Sequence, residues 1–110
     1  MTAKKKGSDF ERLIKKKLQQ KGYFVIRSPG SKGPFDLIAI TPKNHMNDLR
    51  LFPGPHILAI QCKIKGKISE TEKQKILEIS QKYGFIPMLA RKFNRKPVLI
   101  DLRDTSTFLL

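Results

Sequence analysis

The sequence is poor in acidic residues, histidine and cysteine. Its 110 residues include 9 Asp and Glu, 2 His, 1 Cys and no Trp. Because Cys62 is the single cysteine, an internal disulfide is excluded. This fits a reducing compartment, so we expect the protein to be cytoplasmic. His45 and His56 have no Cys or His partner at the spacing of a zinc site, so we expect neither to bind zinc.

Long apolar runs and nucleotide-binding loops are also missing from the sequence. No apolar run approaches the roughly 18 residues that are needed to cross a bilayer. No predicted helix combines a basic face with a strongly apolar one, so we expect no membrane association. Neither a Gly-x-Gly-x-x-Gly loop nor a Walker-type loop occurs, so nothing supports nucleotide binding.

Basic residues, by contrast, are in large excess. The 23 Lys and Arg give a formal net charge of +14 and a pI of about 10.2. So many like charges repel one another, and a polyanionic partner is the simplest explanation for keeping them. We favour nucleic acid as this partner over the alternative that the charge serves solubility in a hot or salty cytoplasm. We expect residues 1–7 to form a flexible basic arm. The candidate DNA contacts are Lys4, Lys5, Lys6, Arg12, Arg27, Ser31 and Lys32.

Two helices are predicted from capping signals and helical spacing of apolar residues. The pairs Ser8/Glu11 and Ser69/Glu72 fit the capping box, in which each side chain bonds the other residue's backbone N–H. The helices are expected to end at glycines, at residues 22 and 84. Strands are predicted at 23–27, 36–41, 57–63, 86–92 and 97–102, and a further short one at 49–52 within the long connection 42–55.

These elements predict one domain, in which a small mixed β-sheet is flanked by helices in an α/β architecture. The near-continuous apolar run at 57–63 indicates a central strand that is covered on both faces. The segment 104–110 is expected to be an apolar tail. It could dock a partner such as a sliding clamp, pack at a dimer interface, or complete the chain's own core.

The polar residues with the greatest chemical interest stand at the ends of two predicted strands. Asp36 opens one strand, and Gln61, Cys62 and Lys63 close the next. Side chains alternate along a strand, so Gln61 and Lys63 should share a face while Cys62 points into the core. An acid, an amide oxygen and an ammonium in one pocket could hold a divalent cation against a phosphate. The leading hypothesis is therefore a metal-dependent nuclease.

Several segments together resemble one nuclease family. They are KGSDFER (6–12), GYFVIRS (22–28), GSKG (30–33), DLIAI (36–40), QCK (61–63) and GFIPMLA (84–90). In this order they resemble the archaeal Holliday junction resolvases, Hjc, of the PD-(D/E)XK nuclease superfamily. The resemblance implies a restriction-endonuclease-like core and a homodimeric, Mg²⁺-dependent endonuclease, with Mn²⁺ as substitute, that nicks four-way DNA junctions.

The resemblance also implies roles for individual residues. Glu11, Asp36 and Gln61 would surround the metal, and Lys63 would orient the attacking water. Ser31, which completes the catalytic set, would lie with Arg12 and Arg27 near the scissile phosphate.

The sequence departs from the family pattern at three points. Gln61 stands where the family usually has Glu, which removes one negative charge from the pocket. Phe35 separates Pro34 from Asp36, and the connection from Asp36 to Gln61 is longer than in the family. Two alternatives follow: a junction-binding protein without catalysis, favoured by Gln61, and another PD-(D/E)XK nuclease acting on other DNA structures.

Overall fold

A computed structural model describes residues 3–28, 34–42, 56–64 and 67–110, and of residues 3–6 the backbone alone. The elements in chain order are α1 (Ala3–Gln20), β1 (Phe24–Arg27), β2 (Leu37–Ile40), β3 (Ile57–Cys62), α2 (Glu70–Tyr83), β4 (Ile86–Phe93), β5 (Lys96–Asp101) and β6 (Thr107–Leu109). The predicted mixed sheet with flanking helices is confirmed. In the described part of the chain, no helix is long and apolar enough to cross a membrane.

The six strands of the described ranges form one sheet in the order β1-β2-β3-β4-β5-β6. β3 and β4 are parallel, and the other neighbouring pairs are antiparallel. Parallel neighbours need a long crossover, which α2 provides. β4 and β5 are instead joined at Asn94 and Arg95, whose φ angles of 50° and 65° are those of a tight hairpin turn.

The helix α1 covers one face of the sheet with its apolar stripe. Phe10, Ile14 and Leu18 are buried against a core that includes Leu58 and Ile60 of β3. These three α1 residues recur at helical spacing, so a single face of the helix is removed from water. The polar residues of α1 that flank this stripe include Glu11. The packing of the helix brings Glu11 close to the end of β1, where it contacts Arg27.

The helix α2 covers the opposite face around Ile76, Leu89 and Leu102. It begins as predicted, because the Ser69 hydroxyl accepts the Glu72 backbone N–H at 3.1 Å. It also ends as predicted at Gly84, whose φ of 76° is a left-handed conformation that glycine adopts without strain. The central strand β3 therefore has a helix on each side.

One prediction about the chain's ends is wrong, and one of the alternatives left open for the other end is confirmed. α1 begins at Ala3, so the segment expected to be a flexible arm is helical from Ala3, and Ser8 does not start the helix. Alanine and lysine are good helix formers, and Gly7 alone did not stop the helix. At the other end, residues 107–109 form β6, and Phe108 and Leu110 pack against the core, so this segment completes the chain's own core. The predicted strand 49–52 lies outside the described residues.

Candidate active site

Asp36 is held against the end of β3, as the two predicted strands required. Its backbone N–H donates to the Ile60 carbonyl at 2.8 Å. Its carboxylate Oδ2 accepts the Cys62 backbone N–H, also at 2.8 Å. Asp36 therefore lies directly beside the tripeptide that closes β3, and its charged side chain is fixed by the backbone that it faces.

Glu11 reaches the same end of the sheet from α1. Arg27 Nε donates to Glu11 Oε1 at 3.0 Å, and Arg27 Nη2 donates to Ser8 Oγ at 3.1 Å. Ser8 and Glu11 therefore share Arg27, and the capping box predicted for them is wrong. Burial and then the Asp36 charge raise the pKa of Glu11, while Arg27 acts in the opposite direction. Two carboxylates thus lie close enough to interact electrostatically.

We expect Asp36→Asn to lower the pKa of Glu11. Ionised Glu11 has a negative neighbour in Asp36, so removing that charge lowers the free energy of the ionised form. Carboxyl-carbon NMR titration of the metal-free protein measures the change. Asp9→Asn is the matched control, because Asp9 lies on the same helix, half-exposed and paired with Arg12. A Glu11 pKa that is equal in both variants would contradict the electrostatic coupling.

Gln61 and Lys63 point to the same face of the sheet, as their alternation predicted. Gln61 Nε2 donates to Glu72 Oε2 at 3.0 Å, and Lys63 Nζ lies 3.5 Å from the same oxygen. Cys62 points to the other face and packs against the α1 side of the core. Burial is the largest cause that raises the pKa of its thiol, so Cys62 is a protonated core residue, as expected.

The carbonyl oxygen of Gln61 is suited to a cation. Gln61 Oε1 is buried and accepts no hydrogen bond from the described residues. A buried acceptor in this state costs about 1–3 kcal/mol. Carboxylate and amide oxygens are the ligands that Mg²⁺ and Mn²⁺ take in proteins. The oxygens of Glu11, Asp36 and Gln61 therefore fit a hard divalent cation in their chemistry.

The structure does not gather all three predicted ligands into one cluster. Within the described ranges, no three His, Cys, Asp or Glu side chains form a group that could hold a metal. Asp36 interacts with Glu11 and with the Cys62 backbone, whereas the contact described for the Gln61 side chain is with Glu72. Asp36 therefore interacts with Glu11 directly and is joined to the Gln61 side of the site through the Cys62 backbone.

The predicted DNA contacts are described only in part. The Arg12 side chain is 67% exposed and lies 3.9 Å from Asp9, a weak pairing that leaves it accessible to phosphate. Arg27 is engaged by Glu11 and Ser8. The side chains of Lys4, Lys5 and Lys6, and the whole of Ser31 and Lys32, lie outside the described residues. Their roles stay predictions.

Glu72 is the residue that the sequence reasoning did not assign to the site. Its only signal was the Ser69-x-x-Glu72 pattern, which predicted a helix start and is confirmed as one. The contact with Gln61 crosses from α2 to β3 over 11 residues of sequence. No local pattern indicates such a contact.

The mixed sheet, with Asp36 and Lys63 at the ends of neighbouring strands, defines an α/β fold of the nuclease type. The solved structure of Archaeoglobus fulgidus Hjc, a Holliday junction resolvase, has this fold. It matches with a TM-score of 0.63 and 21% identity over 96% of this chain and 83% of that one. The model of the archaeal Holliday junction resolvase (Hjc) family matches residues 2–107. The chain belongs to this family, which confirms the resemblance.

A curated relative supports the same family. The crossover junction endodeoxyribonuclease Hjc of Methanocaldococcus jannaschii is 36% identical over 101 residues. The match covers 88% of this chain and 66% of the relative. The chain therefore spans about two thirds of the length of this relative.

Proposed function

We propose that this chain is an endonuclease that resolves four-way DNA junctions by metal-dependent hydrolysis of phosphodiester bonds. The observation that carries the proposal is Asp36, whose carboxylate is fixed on the Cys62 N–H between Gln61 and Lys63. Membership of the resolvase family and the similarity to the M. jannaschii enzyme support the substrate. Residues 1–110 would form a single nuclease domain, and the single cysteine fits a cytoplasmic setting.

Mg²⁺, with Mn²⁺ as substitute, is the proposed cofactor. Asp36, Glu11 and the free carbonyl oxygen of Gln61 would hold it. When bound, such a cation neutralises charge on the phosphoryl oxygens and lowers the pKa of its water.

The protein's own groups supply orientation and positive charge. Lys63, held 3.5 Å from Glu72, would orient the attacking water or stabilise a phosphate oxygen. Arg27 keeps Glu11 in place from the neighbouring strand. Exposed Arg12 would contact the DNA backbone.

The number of phosphate contacts should be visible in the salt dependence of junction binding. Each contact adds about 0.9 to the slope of log affinity against log salt. Arg12→Gln should reduce the slope by about this amount, because exposed Arg12 is a proposed contact. Lys75→Gln, which removes a charge from an exposed position of α2, is the control and should leave the slope unchanged. A flat dependence in the unmodified protein would contradict binding through phosphates.

A homodimer suits this substrate. A four-way junction has two symmetry-related strands to cut, and a two-fold dimer offers two equivalent sites at a fixed separation. A sliding clamp is a further proposed partner of residues 104–110. Phe108 and Leu110 pack against the core, so in this arrangement exposed Leu109 is the large apolar side chain of β6 that a clamp could contact.

The test is cleavage of a labelled immobile four-way junction beside linear duplex of the same sequence. Mg²⁺, Mn²⁺ or EDTA is added to parallel reactions. Paired nicks in the junction alone, lost with EDTA, are the expected result. Equal cutting of three-way, flap or linear DNA would instead identify another nuclease of the superfamily.

One observation favours a second function, that of a junction-binding protein without catalysis. Gln61 is neutral, and its amide is bonded to Glu72 rather than to Asp36 or Glu11. Tight junction binding with no nick under any of the metals would support this alternative and exclude the nuclease.

A further inference from the structure

Glu72 contacts both polar side chains of the tripeptide that ends β3. A single oxygen, Oε2, accepts the Gln61 amide N–H at 3.0 Å and lies 3.5 Å from Lys63 Nζ. The other oxygen, Oε1, accepts the Ser69 hydroxyl at 3.2 Å. The carboxylate is therefore anchored on one side and faces the candidate site with the other.

This arrangement goes beyond what a helix cap requires. In a capping box the acidic side chain bonds the backbone N–H of the first residue. In the contacts described for Glu72, the carboxylate instead reaches the Ser69 hydroxyl and the neighbouring strand. The carboxylate lies in the first turn of α2, where a helix favours an anion, and Lys63 Nζ is 3.5 Å away, so its surroundings suit a negative charge.

The Glu72 carboxylate changes the net charge of the candidate site. Glu11 and Asp36 are two negative groups, and Arg27 and Lys63 are two positive ones, so the charges of these four groups sum to zero. Arg12, which also acts on Glu11, is paired with Asp9 and leaves this sum unchanged. A neutral pocket attracts a divalent cation poorly, since affinity for such ions follows the number of charged ligands. Glu72 makes the net charge of these five groups −1.

The orientation of Gln61 points in the same direction. The Gln61 amide nitrogen donates a hydrogen bond to Glu72. The carbonyl oxygen of the same amide points away from Glu72 and is buried without a partner among the described residues. The pair thus presents one neutral oxygen and one charged group, where a glutamate at position 61 would present a charged group alone.

We propose that Glu72 supplies the metal pocket with the negative charge that Gln61 lacks, so that the carboxylate comes from α2 instead of β3. The inference rests on the proposed function. Gln61 then has two tasks: it positions Glu72 through its amide nitrogen, and it offers its carbonyl oxygen to the cation.

The experiment measures Mn²⁺ binding by titration calorimetry of the metal-free protein, without DNA. Glu72→Gln preserves size and hydrogen bonding but removes the charge, and it should weaken Mn²⁺ binding about 10–100-fold. Glu78→Gln is the matched control, because Glu78 is an exposed carboxylate on the same helix. It should bind Mn²⁺ like the unmodified protein.

An exchange of the two side chains provides a second variant. Gln61→Glu combined with Glu72→Gln returns the carboxylate to β3 and places the amide on α2, across a contact of 3.0 Å. Mn²⁺ binding should recover to nearly the original affinity.

The outcomes separate the two proposals. Equal Mn²⁺ affinity in Glu72→Gln and Glu78→Gln, while the unmodified protein binds Mn²⁺ and cuts junctions, would overturn the role of Glu72 alone. The same holds if Glu72→Gln lowers the melting temperature without changing Mn²⁺ affinity, because Glu72 would then serve only the start of α2. An unmodified protein that neither binds Mn²⁺ nor cleaves would overturn the proposed function itself, and this inference with it.

Discussion

Asp36→Asn should reduce junction cleavage about 10³-fold or more while junction binding stays nearly intact. Asp36 is the carboxylate that interacts with Glu11 and is fixed on the Cys62 N–H. A catalytic metal lowers the barrier by several kcal/mol, and each 1.36 kcal/mol corresponds to about a tenfold change in rate. Binding should survive, because phosphate contacts dominate it. Single-turnover cleavage and a gel-shift titration in EDTA measure the two quantities separately.

Asparagine is a better test at this position than alanine. Its side-chain oxygen can still accept the Cys62 N–H that Asp36 accepts at 2.8 Å. Asp36→Ala leaves that N–H without its partner, which costs about 1–3 kcal/mol of stability. Thermal unfolding should therefore place the Asn variant close to the unmodified protein and the Ala variant below it. Cleavage at the normal rate in the Asn variant would remove Asp36 from the mechanism.

Lys63→Ala should lower the single-turnover cleavage rate about 10²–10³-fold, the usual effect of removing one group that stabilises charge in a transition state. Lys63 shares a face with Gln61 and is held near Glu72, so its ammonium lies at the candidate site. The control is Lys67→Ala, which removes the same charge from an exposed position before α2. If both variants lose the same activity, Lys63 acts through general DNA attraction and has no special role.

The parts of the fold that the sequence predicted well depend on local signals. The helix α2 begins at a serine cap and ends at a left-handed glycine, and both residues act on neighbours within four positions. The start of α1 was predicted wrongly because the prediction used a local signal alone. Ser8 and Glu11 have the local pattern of a cap, but Arg27, 16 and 19 residues away, binds both of them. A tertiary contact outweighed the local preference.

The candidate site shows the same division. The position of Asp36 beside Gln61 and Lys63 was predictable. In an antiparallel pair the start of one strand lies beside the end of the next, and Asp36 precedes β2 while Gln61 and Lys63 stand at the end of β3. Glu72 was not, because its pattern already had a sufficient local explanation in the start of α2. β6 was missed because Thr107–Leu109 is too short for an alternating pattern and is defined by pairing with β5.

The agreement between strand order and chain order has a consequence for folding kinetics. Every strand pairs with the strand that precedes or follows it in sequence, and α2 provides the crossover between β3 and β4. Sheets built from such neighbours close shorter loops than sheets whose distant segments pair, so we expect rapid folding for a mixed sheet of this size. Asp36 and Lys63 also belong to the first half of the sheet. During synthesis, the strands that bear them can pair before β4 to β6 have emerged.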